Sequence, residues 1–379
     1  MHFTPTIEQE MIRKMAKDFT KNEVAPIAAE IDELARFPQE TIDKAGPLGL
    51  LGMPFPREYG GAGADYVAYI MAIEEMSKAC GATGVIVQTH VALCTWPIFT
   101  YGTEEQKQKY LPGLCTGKLF GAFGLTEANA GSDAAGLQTK AVDMGDHWLL
   151  NGSKIFISGG GIADVYVILA MTDKSKGTKG ISAFIVEKDT PGFSAPKKEN
   201  KMGIRGSIAA ELLFEDVKLP KNALLGQVGK GFAVAMTSLD IGRLGIAAQA
   251  LGIAQGAFDQ TVEYMKSRKQ FGKSLDKFQA LSFEMAHMHT MIEASRLLLY
   301  KAGDFRQRGL PSGTEAAMAK LSCSETAMYV TTKAVQLHGG YGYIKDYPVE
   351  RMMRDAKITE IYEGTSEVMK MVISGSVFK

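Results

Sequence analysis

The hydrophobic period of this chain changes twice, near Gly117 and again after Gly229-Lys230-Gly231, and that double change limits the fold more than any other feature. In residues 7–37 the apolar side chains Ile7, Met11, Met15, Phe19, Val24, Ile27 and Ile31 recur every three to five positions, a helical stripe interrupted near Pro26. Residues 48–59 carry the punctuation of a loop, and helices are expected over 65–79 and 84–101. Thr103 and Gln106 have the spacing of a capping box, opening a short helix through Tyr110. Beyond Gly117 come short runs rich in β-branched and aromatic residues, at 119–125, 147–150, 153–157, 165–171, 181–187 and 211–218. Asn151-Gly152 between two of them reads as a two-residue hairpin, because both turn positions need positive φ. After residue 231 the period is helical again, in long stretches from Phe232 to about Lys266, over 276–307 and over 314–337. The expectation is an α+β chain: a helical domain over 1–116, an antiparallel β domain over 117–228, and a four-helix bundle over 229–379.

At 379 residues the chain exceeds the roughly 250–300 at which one core stops growing, which agrees with two or three domains. Lys+Arg and Asp+Glu are 42 each, so no charge excess favours nucleic acid or an anionic membrane. Cys80, Cys94, Cys115 and Cys323 form no CxxC pair, and the six histidines form no HExxH. No metal site is expected, and scattered thiols fit a reducing compartment. The start, Met1-His2-Phe3, lacks the basic and apolar regions of a signal peptide, and no unbroken apolar stretch reaches the ~18 residues of a spanning helix. A cytoplasmic protein is the expectation.

There is no P-loop and no GxGxxG in a βαβ setting. A hydrolase triad drawn through Ser132 and Asp133 has no GxSxG elbow to support it. Residues 124–133 and 158–161 lie at strand ends, where loops hold ligands. Glu363 is the other candidate, set between Tyr362 and Gly364 where helical pattern breaks. Arg351 and Asp355, four apart, support a short helix ahead of it, and Gly364 admits backbone angles that strain other residues. From local pattern alone a solvated glutamate before a turn is the commoner arrangement.

Several stretches resemble, in order and over almost the full length, the signatures of the acyl-CoA dehydrogenase family. They are Phe-Gly-Leu-Thr-Glu-Ala-Asn-Ala-Gly-Ser-Asp at 123–133, Asn-Gly-Ser-Lys at 151–154 and Arg-Lys-Gln-Phe-Gly-Lys at 268–273. Gln-Leu-His-Gly-Gly-Tyr-Gly at 336–342, Arg-Asp-Ala-Lys at 354–357 and Ile-Tyr-Glu-Gly-Thr at 361–365 complete the set. Within the family the chain looks most like the butyryl-CoA branch of anaerobic bacteria. The resemblance implies a helical, a β and a helical-bundle domain assembled as a homotetramer.

It also implies a chemistry. A glutamate removes the α proton of an acyl-CoA thioester while the β hydrogen passes as hydride to FAD, and Glu363 matches that base. The enolate needs donors at the carbonyl oxygen, which in the family are the base's own backbone N–H and a ribityl hydroxyl. A branch of the family carries its base on the helix of Arg243, where this chain has Gly242, with no side chain to serve. Phe123, Leu125, Thr126, Gly131 and Ser132 match the flavin-lining stretch, and Phe156 and Ser158 the strand over the ring. There the family more often has Trp and Thr, and Pro at the place of Ala128. Arg268, Gln270, Phe271, Phe278, Gln279, Gln336, Gly339 and Gly340 match positions that hold the ADP part of FAD from a neighbouring subunit, and Thr365 and Glu367 complete that site. Ser132, Phe232, Asp240 and Arg243 match the substrate's thioester and CoA contacts, with Tyr362 and Gly364 beside the base.

The implied partners are a short-chain acyl-CoA and an electron-transfer flavoprotein, with oxidation or the reverse reduction open. An acyl-CoA dehydrogenase of other chain specificity, acyl-CoA oxidase, glutaryl-CoA dehydrogenase and a flavin-bearing nucleic-acid-binding relative are the rivals. Residues 90–96, expected to close the pocket, are bulky and uncharged apart from His90, which suits a short apolar chain.

Overall fold

The computed structural model describes residues 4–378; Met1, His2 and Phe3, where the signal-peptide reading falls, lie outside the described residues. Helix α1 (Ile7–Phe19) opens on a capping box in which the Thr6 hydroxyl accepts from Gln9 N–H and the Gln9 side chain accepts from Thr6 N–H. A π-helical turn, Thr20–Val24, and a 3₁₀ turn, Ala25–Ile27, separate it from α2 (Ala28–Glu33), since Pro26 has no N–H to continue the ladder. Then follow α3 (Gln39–Ala45), α4 (Tyr66–Ala79), α5 (Gly81–Thr89), a π-helical turn at His90–Thr95, and α6 (Trp96–Tyr101). Helix α7 (Glu104–Thr116) has the expected Thr103–Gln106 capping box but runs past Tyr110 to a left-handed Gly117, carrying Pro112 within it.

The strands β1 (Gly121–Gly124), β2 (Lys140–Asp143), β3 (His147–Ser158), β4 (Val165–Met171), β5 (Ile181–Glu187), β6 (Phe193–Ser194), β7 (Ala209–Pro220) and β8 (Leu224–Leu225) form one sheet. Its order is β6-β7-β3-β2-β4-β5-β8, with β1 also beside β4. Two expectations need correction here. The sheet is mixed, because β1 pairs parallel with β4 over Gly121–Gly124, which the long excursion through β2 and β3 permits. And Asn151-Gly152 is not a hairpin: β3 runs straight through it, with a bulge against β7 where Gly152 sits at φ 141°. The Asn151 amide bonds across to Asp216 instead, and the true β2–β3 turn is closed by Met144 N–H donating to His147 O at 3.0 Å around Gly145. Turn chemistry is a local signal, and here the cross-strand partner overrode it.

Helix α8 (Gly231–Ser267) is the axis of the molecule, packed by α10 (Gly313–His338), α4, α9 (Gln279–Gln307) and α5. Every side chain from Ile241 to Ala254 along it is buried. Such a helix is apolar on all sides, and by length and hydropathy both it and the stretch Gly81–Tyr101 would cross a membrane. They are core helices instead, with 67% and 94% of their most apolar windows buried by the rest of the chain. A two-stranded hairpin, β9 (Lys269–Gln270) and β10 (Lys273–Ser274), joins α8 to α9, and α11 (Val349–Lys357) and α12 (Ser366–Val377) pack on α10.

Candidate active site

The segment that carries Glu363 is pinned at its root. Arg354 grips Asp32 of α2 with both terminal nitrogens, at 2.6 and 3.1 Å, and pairs with Glu350 one turn back at 2.8 Å. The expected partnership of Arg351 with Asp355 is not what holds α11: Arg351 donates to Ala79 O, and the buried Asp355 accepts Ile204 N–H. Burial pushes the Asp355 carboxyl up to about 6, against that hydrogen bond and the Arg351 charge. Helix α11 is thereby clamped to α2, to the end of α4 and to the 202–205 loop.

From this base a single 3₁₀ turn, Ile358–Glu360, leads to the reversal. Glu363 has φ 51° and Gly364 φ 103°. A left-handed glutamate costs roughly 1–2 kcal/mol, so its neighbours must hold it. Lys320, fully buried on α10, donates to Gly364 O at 2.5 Å, the Tyr362 hydroxyl donates to Gln249, and Thr365 caps α12 by accepting Val368 N–H. Gln249 in turn donates to Gly81 O at 2.8 Å. Among the described residues the Glu363 backbone N–H donates to no backbone carbonyl outside the helices and strands.

The carboxylate turns inward onto α8. A Cβ placed on Gly242 would stand 2.0 Å from Glu363 Oε2 and 3.0 Å from Leu93 Cδ2, so only glycine admits the carboxylate there. Gln88 Nε2 donates to Glu363 at 3.1 and 3.4 Å and to Gly242 O at 2.9 Å. Burial drives the Glu363 carboxyl up to about 7, opposed by the Gln88 hydrogen bond and by the charges of Lys320 and Arg243. Beside it Tyr69 is buried with no partner for its hydroxyl.

Asp240 and Arg243, one turn apart on the same helix and either side of Gly242, form an ion pair at 2.7 Å, with Arg243 buried and its Nε unpartnered. Burial raises the Asp240 carboxyl, and Arg243 opposes the rise. Phe232 lies half-buried in the first turn of α8. Leu93 belongs to the π-helical turn 90–95, whose Cys94 packs against Gly121 of β1, so that turn joins the Glu363 pocket to the sheet. His90 offers no cation to the pocket. It is buried between Leu114 O and Gly121 N–H at 3.0 Å each, and burial lowers it to about 4.

Phe123 on β1 and Leu125 just past its end are buried, Thr126 is half-buried, and Gly131 and Ser132 are exposed in the loop beyond. Thr126 O accepts Ile155 N–H at 2.9 Å, which brings this loop beside Phe156 and Ser158 on β3. Phe156 is 63% exposed and left-handed, φ 60°, presenting its ring outward from the strand. Under the loop a fully buried Lys154 donates to Leu125 O at 3.0 Å and to Glu127 at 2.7 Å, while Glu127 accepts Gln138 and Thr139 N–H. Burial brings the Lys154 ammonium down to about 8; it also raises Glu127, but Lys154 and the two N–H donors outweigh it and hold Glu127 below its ordinary value.

The remaining candidates sit elsewhere. Arg268, Gln270, Gln336, Gly339 and Gly340 line one groove of about 560 Å³, with the Arg268 guanidinium 5.3 Å from the Tyr341 ring centre. Phe278 meets Phe271 edge-on at 6.3 Å, Gln279 opens α9, and Phe271 itself is 93% exposed at φ 50° on the hairpin loop. Gly242 and Arg268 are separated by roughly 39 Å of helix at ~1.5 Å per residue, so the groove and the Glu363 pocket of one chain are far apart. Glu367 is exposed in the first turn of α12.

Gln88, Lys320 and Gln249 were not among the sequence candidates, and Glu127 and Lys154 were singled out only as parts of the stretches 124–133 and 151–154. Gln88 and Lys320 did leave a signal, one an amide inside an apolar run and the other a lysine on an alanine-rich stripe. Among the described residues no group of three or more His, Cys, Asp or Glu could hold a metal ion.

Three family models match the chain: Acyl-CoA dehydrogenase, N-terminal domain, over residues 6–118; middle domain, over 122–217; and C-terminal domain, over 229–378. The chain is 61% identical to a short-chain specific acyl-CoA dehydrogenase of Clostridium acetobutylicum, covering 100% of both. It superposes on butyryl-CoA dehydrogenase of Megasphaera elsdenii with TM-score 0.98 at 51% identity, again over 100% of both chains. A chain solved in work on the electron transferring flavoprotein of Acidaminococcus fermentans and flavin-based electron bifurcation matches with TM-score 0.99 at 54% identity and 100% coverage of both.

Proposed function

We infer the function from one premise: the chain belongs to the acyl-CoA dehydrogenase family, a family of flavoproteins. It is an oxidoreductase that converts a short-chain acyl-CoA, butyryl-CoA, to the α,β-unsaturated crotonyl-CoA or the reverse, exchanging electrons with an electron-transfer flavoprotein in the cytoplasm. The carrying observation is a carboxylate, Glu363, held inward on α8 with its protonation poised about 7. A base works best with its pKa near the operating pH, and an α-CH beside a thioester is acidic enough only when its enolate is stabilised.

The chain's residues divide the work. Glu363 Oε1 or Oε2 takes the α proton, and its backbone N–H is available to the thioester oxygen. FAD held beside the loop and strand of Thr126, Ser132, Phe156 and Ser158 would supply the acceptor for the β hydrogen and its electron pair. The open ring of Phe156 and the polar groups of Thr126, Ser132 and Ser158 along one loop and strand fit a flat heterocycle with a hydrogen-bonding edge. Arg268 in its groove offers a planar fork of donors to a pyrophosphate. Because that groove lies far from Glu363 along α8, it serves the cofactor of another copy, and Phe271 is 93% exposed on the hairpin loop beside it; both observations support the homotetramer. Leu93 beside Glu363 and the neutral His90 favour a short apolar acyl chain over one ending in a carboxylate.

The purified protein is expected to be yellow and to bleach on anaerobic addition of butyryl-CoA, with the fastest reduction at four carbons in a series from four to sixteen. The reduction rate at limiting butyryl-CoA should rise with pH and level off above about 7, as the Glu363 carboxyl ionises. Faster bleaching by twelve or more carbons, or a pH-independent rate between 5 and 8, would count against this assignment.

A further inference from the structure

Gln88 stands in one of the most apolar runs of the chain, between Val87 and Thr89, and is 0% exposed. A buried amide in such a place needs partners. Its Nε2 has two, the Gly242 carbonyl at 2.9 Å and the Glu363 carboxylate at 3.1 Å, whereas its Oε1 has none. Helix α8 is shaped for both side chains. A Cβ on Gly242 would lie 2.0 Å from Glu363 Oε2, and one on Gly245 would lie 2.0 Å from Gln88 Cγ. Residues three apart share a helix face, so the two glycines make one notch that receives base and amide together.

The Gly242 carbonyl decides which end of the amide meets the base. Turning the amide by half a revolution would set Oε1 at 2.9 Å from that oxygen, two acceptors in contact with no proton between them. The N–H end is therefore fixed toward Glu363, as a donor and never an acceptor. A donor-only partner favours the carboxylate, because the O–H of the acid form would find nothing there to accept it.

We propose that Gln88 is a positioning residue for Glu363: locked by the Gly242 carbonyl, it holds the carboxylate in the α8 notch and stabilises its ionised, proton-accepting form. This rests on the reading of Glu363 as the base. The other groups facing Glu363 are the cations Lys320 of α10 and Arg243 of α8 and the phenols Tyr69 of α4 and Tyr362, with Asp240 neutralising part of Arg243 and Glu360 and Glu367 part of Lys320. Gln88 Nε2 hydrogen-bonds Gly242 O and Glu363 and none of these groups, so a Gln88 variant isolates the share of the amide.

Gln88→Met keeps the length of the side chain and removes the donor. In protein with full FAD content, the acid limb of kcat/KM for butyryl-CoA is expected to move up by about 1–2 pH units, the size of one hydrogen bond to a charged group. Gln88→Glu, which sets a second carboxyl against both the carbonyl and the base, is expected to move it further. The Glu363 carboxyl can also be followed without turnover, as the band in pH-difference infrared spectra that Glu363→Gln removes, and it should shift by the same amount. An unmoved acid limb and an unmoved band in folded, yellow Gln88→Met, with the rate lowered equally at every pH, would overturn the proposal and leave Gln88 a packing residue. Bleaching that survives in Glu363→Gln would overturn the base assignment instead, so the two failures are distinguishable.

Discussion

Glu363→Gln is expected to bind FAD as the parent does and to lose reduction of the flavin by butyryl-CoA, a fall of at least 10²–10⁴-fold if only the base's contribution disappears. The amide nearly matches the carboxylate in size and fits the Gly242 notch, so the loss reports proton abstraction rather than packing. Stability sharpens the test. The folded value of the Glu363 carboxyl is raised by burial to about 7 from 4.5, so its ionised form opposes folding. That cost is absent below pH 4.5, grows between 4.5 and 7, and is complete above 7. Glu363→Gln removes it and should be more stable than the parent at pH 8 by up to about 3 kcal/mol, with no gain at pH 4.5. A variant that bleaches normally would remove Glu363 from the chemistry; one that is inactive and less stable at pH 8 would point to damage of the reversal at 363–364.

Lys154→Met should produce the largest effect on stability outside the pocket. Its ammonium is fully buried against Glu127 and Leu125 O, and Glu127 faces it from the loop that carries Thr126 and Ser132. Removing one partner leaves a carboxylate with only backbone donors in a nearly dry site, a loss of roughly 3–5 kcal/mol. That is a large part of the about 5–15 kcal/mol that usually separates folded from unfolded chains. Urea midpoints and retention of flavin on gel filtration would measure it. Glu127→Gln alone should cost less, since Lys154 ionises at about 8 and can shed its proton in place. The double change Lys154→Met with Glu127→Leu should recover part of the loss, because an apolar pair of similar volume can replace a buried ion pair. A Lys154→Met protein within 1 kcal/mol of the parent that keeps its flavin would show that the pair supports nothing.

Sequence made the long helices legible because their signal is repetitive. The expected stretch from Phe232 to about Lys266 is observed as Gly231–Ser267, and the one over 314–337 as Gly313–His338. It made the reversal at Glu363 legible as a break in pattern, and the resemblance implies a base there. What stayed hidden was decided by contacts distant along the chain. Gln88 meets Glu363 across 275 residues and Lys320 meets Gly364 across 44, distances at which no periodicity reports a neighbour. The misread hairpin has the opposite cause. Asn151-Gly152 has the right local chemistry for a turn, but the strand goes on because Asn151 finds Asp216 across the sheet.

The length of α8 carries a genetic consequence. If the base at one end and the Arg268 groove at the other serve different cofactors, a defect in each belongs to a different working site. A chain that has lost Glu363 still lends an intact groove, and a chain that has lost Arg268 still lends an intact base. Two such inactive proteins, unfolded and reassembled together, would then complement one another, and activity would reappear from a mixture of parts that have none alone.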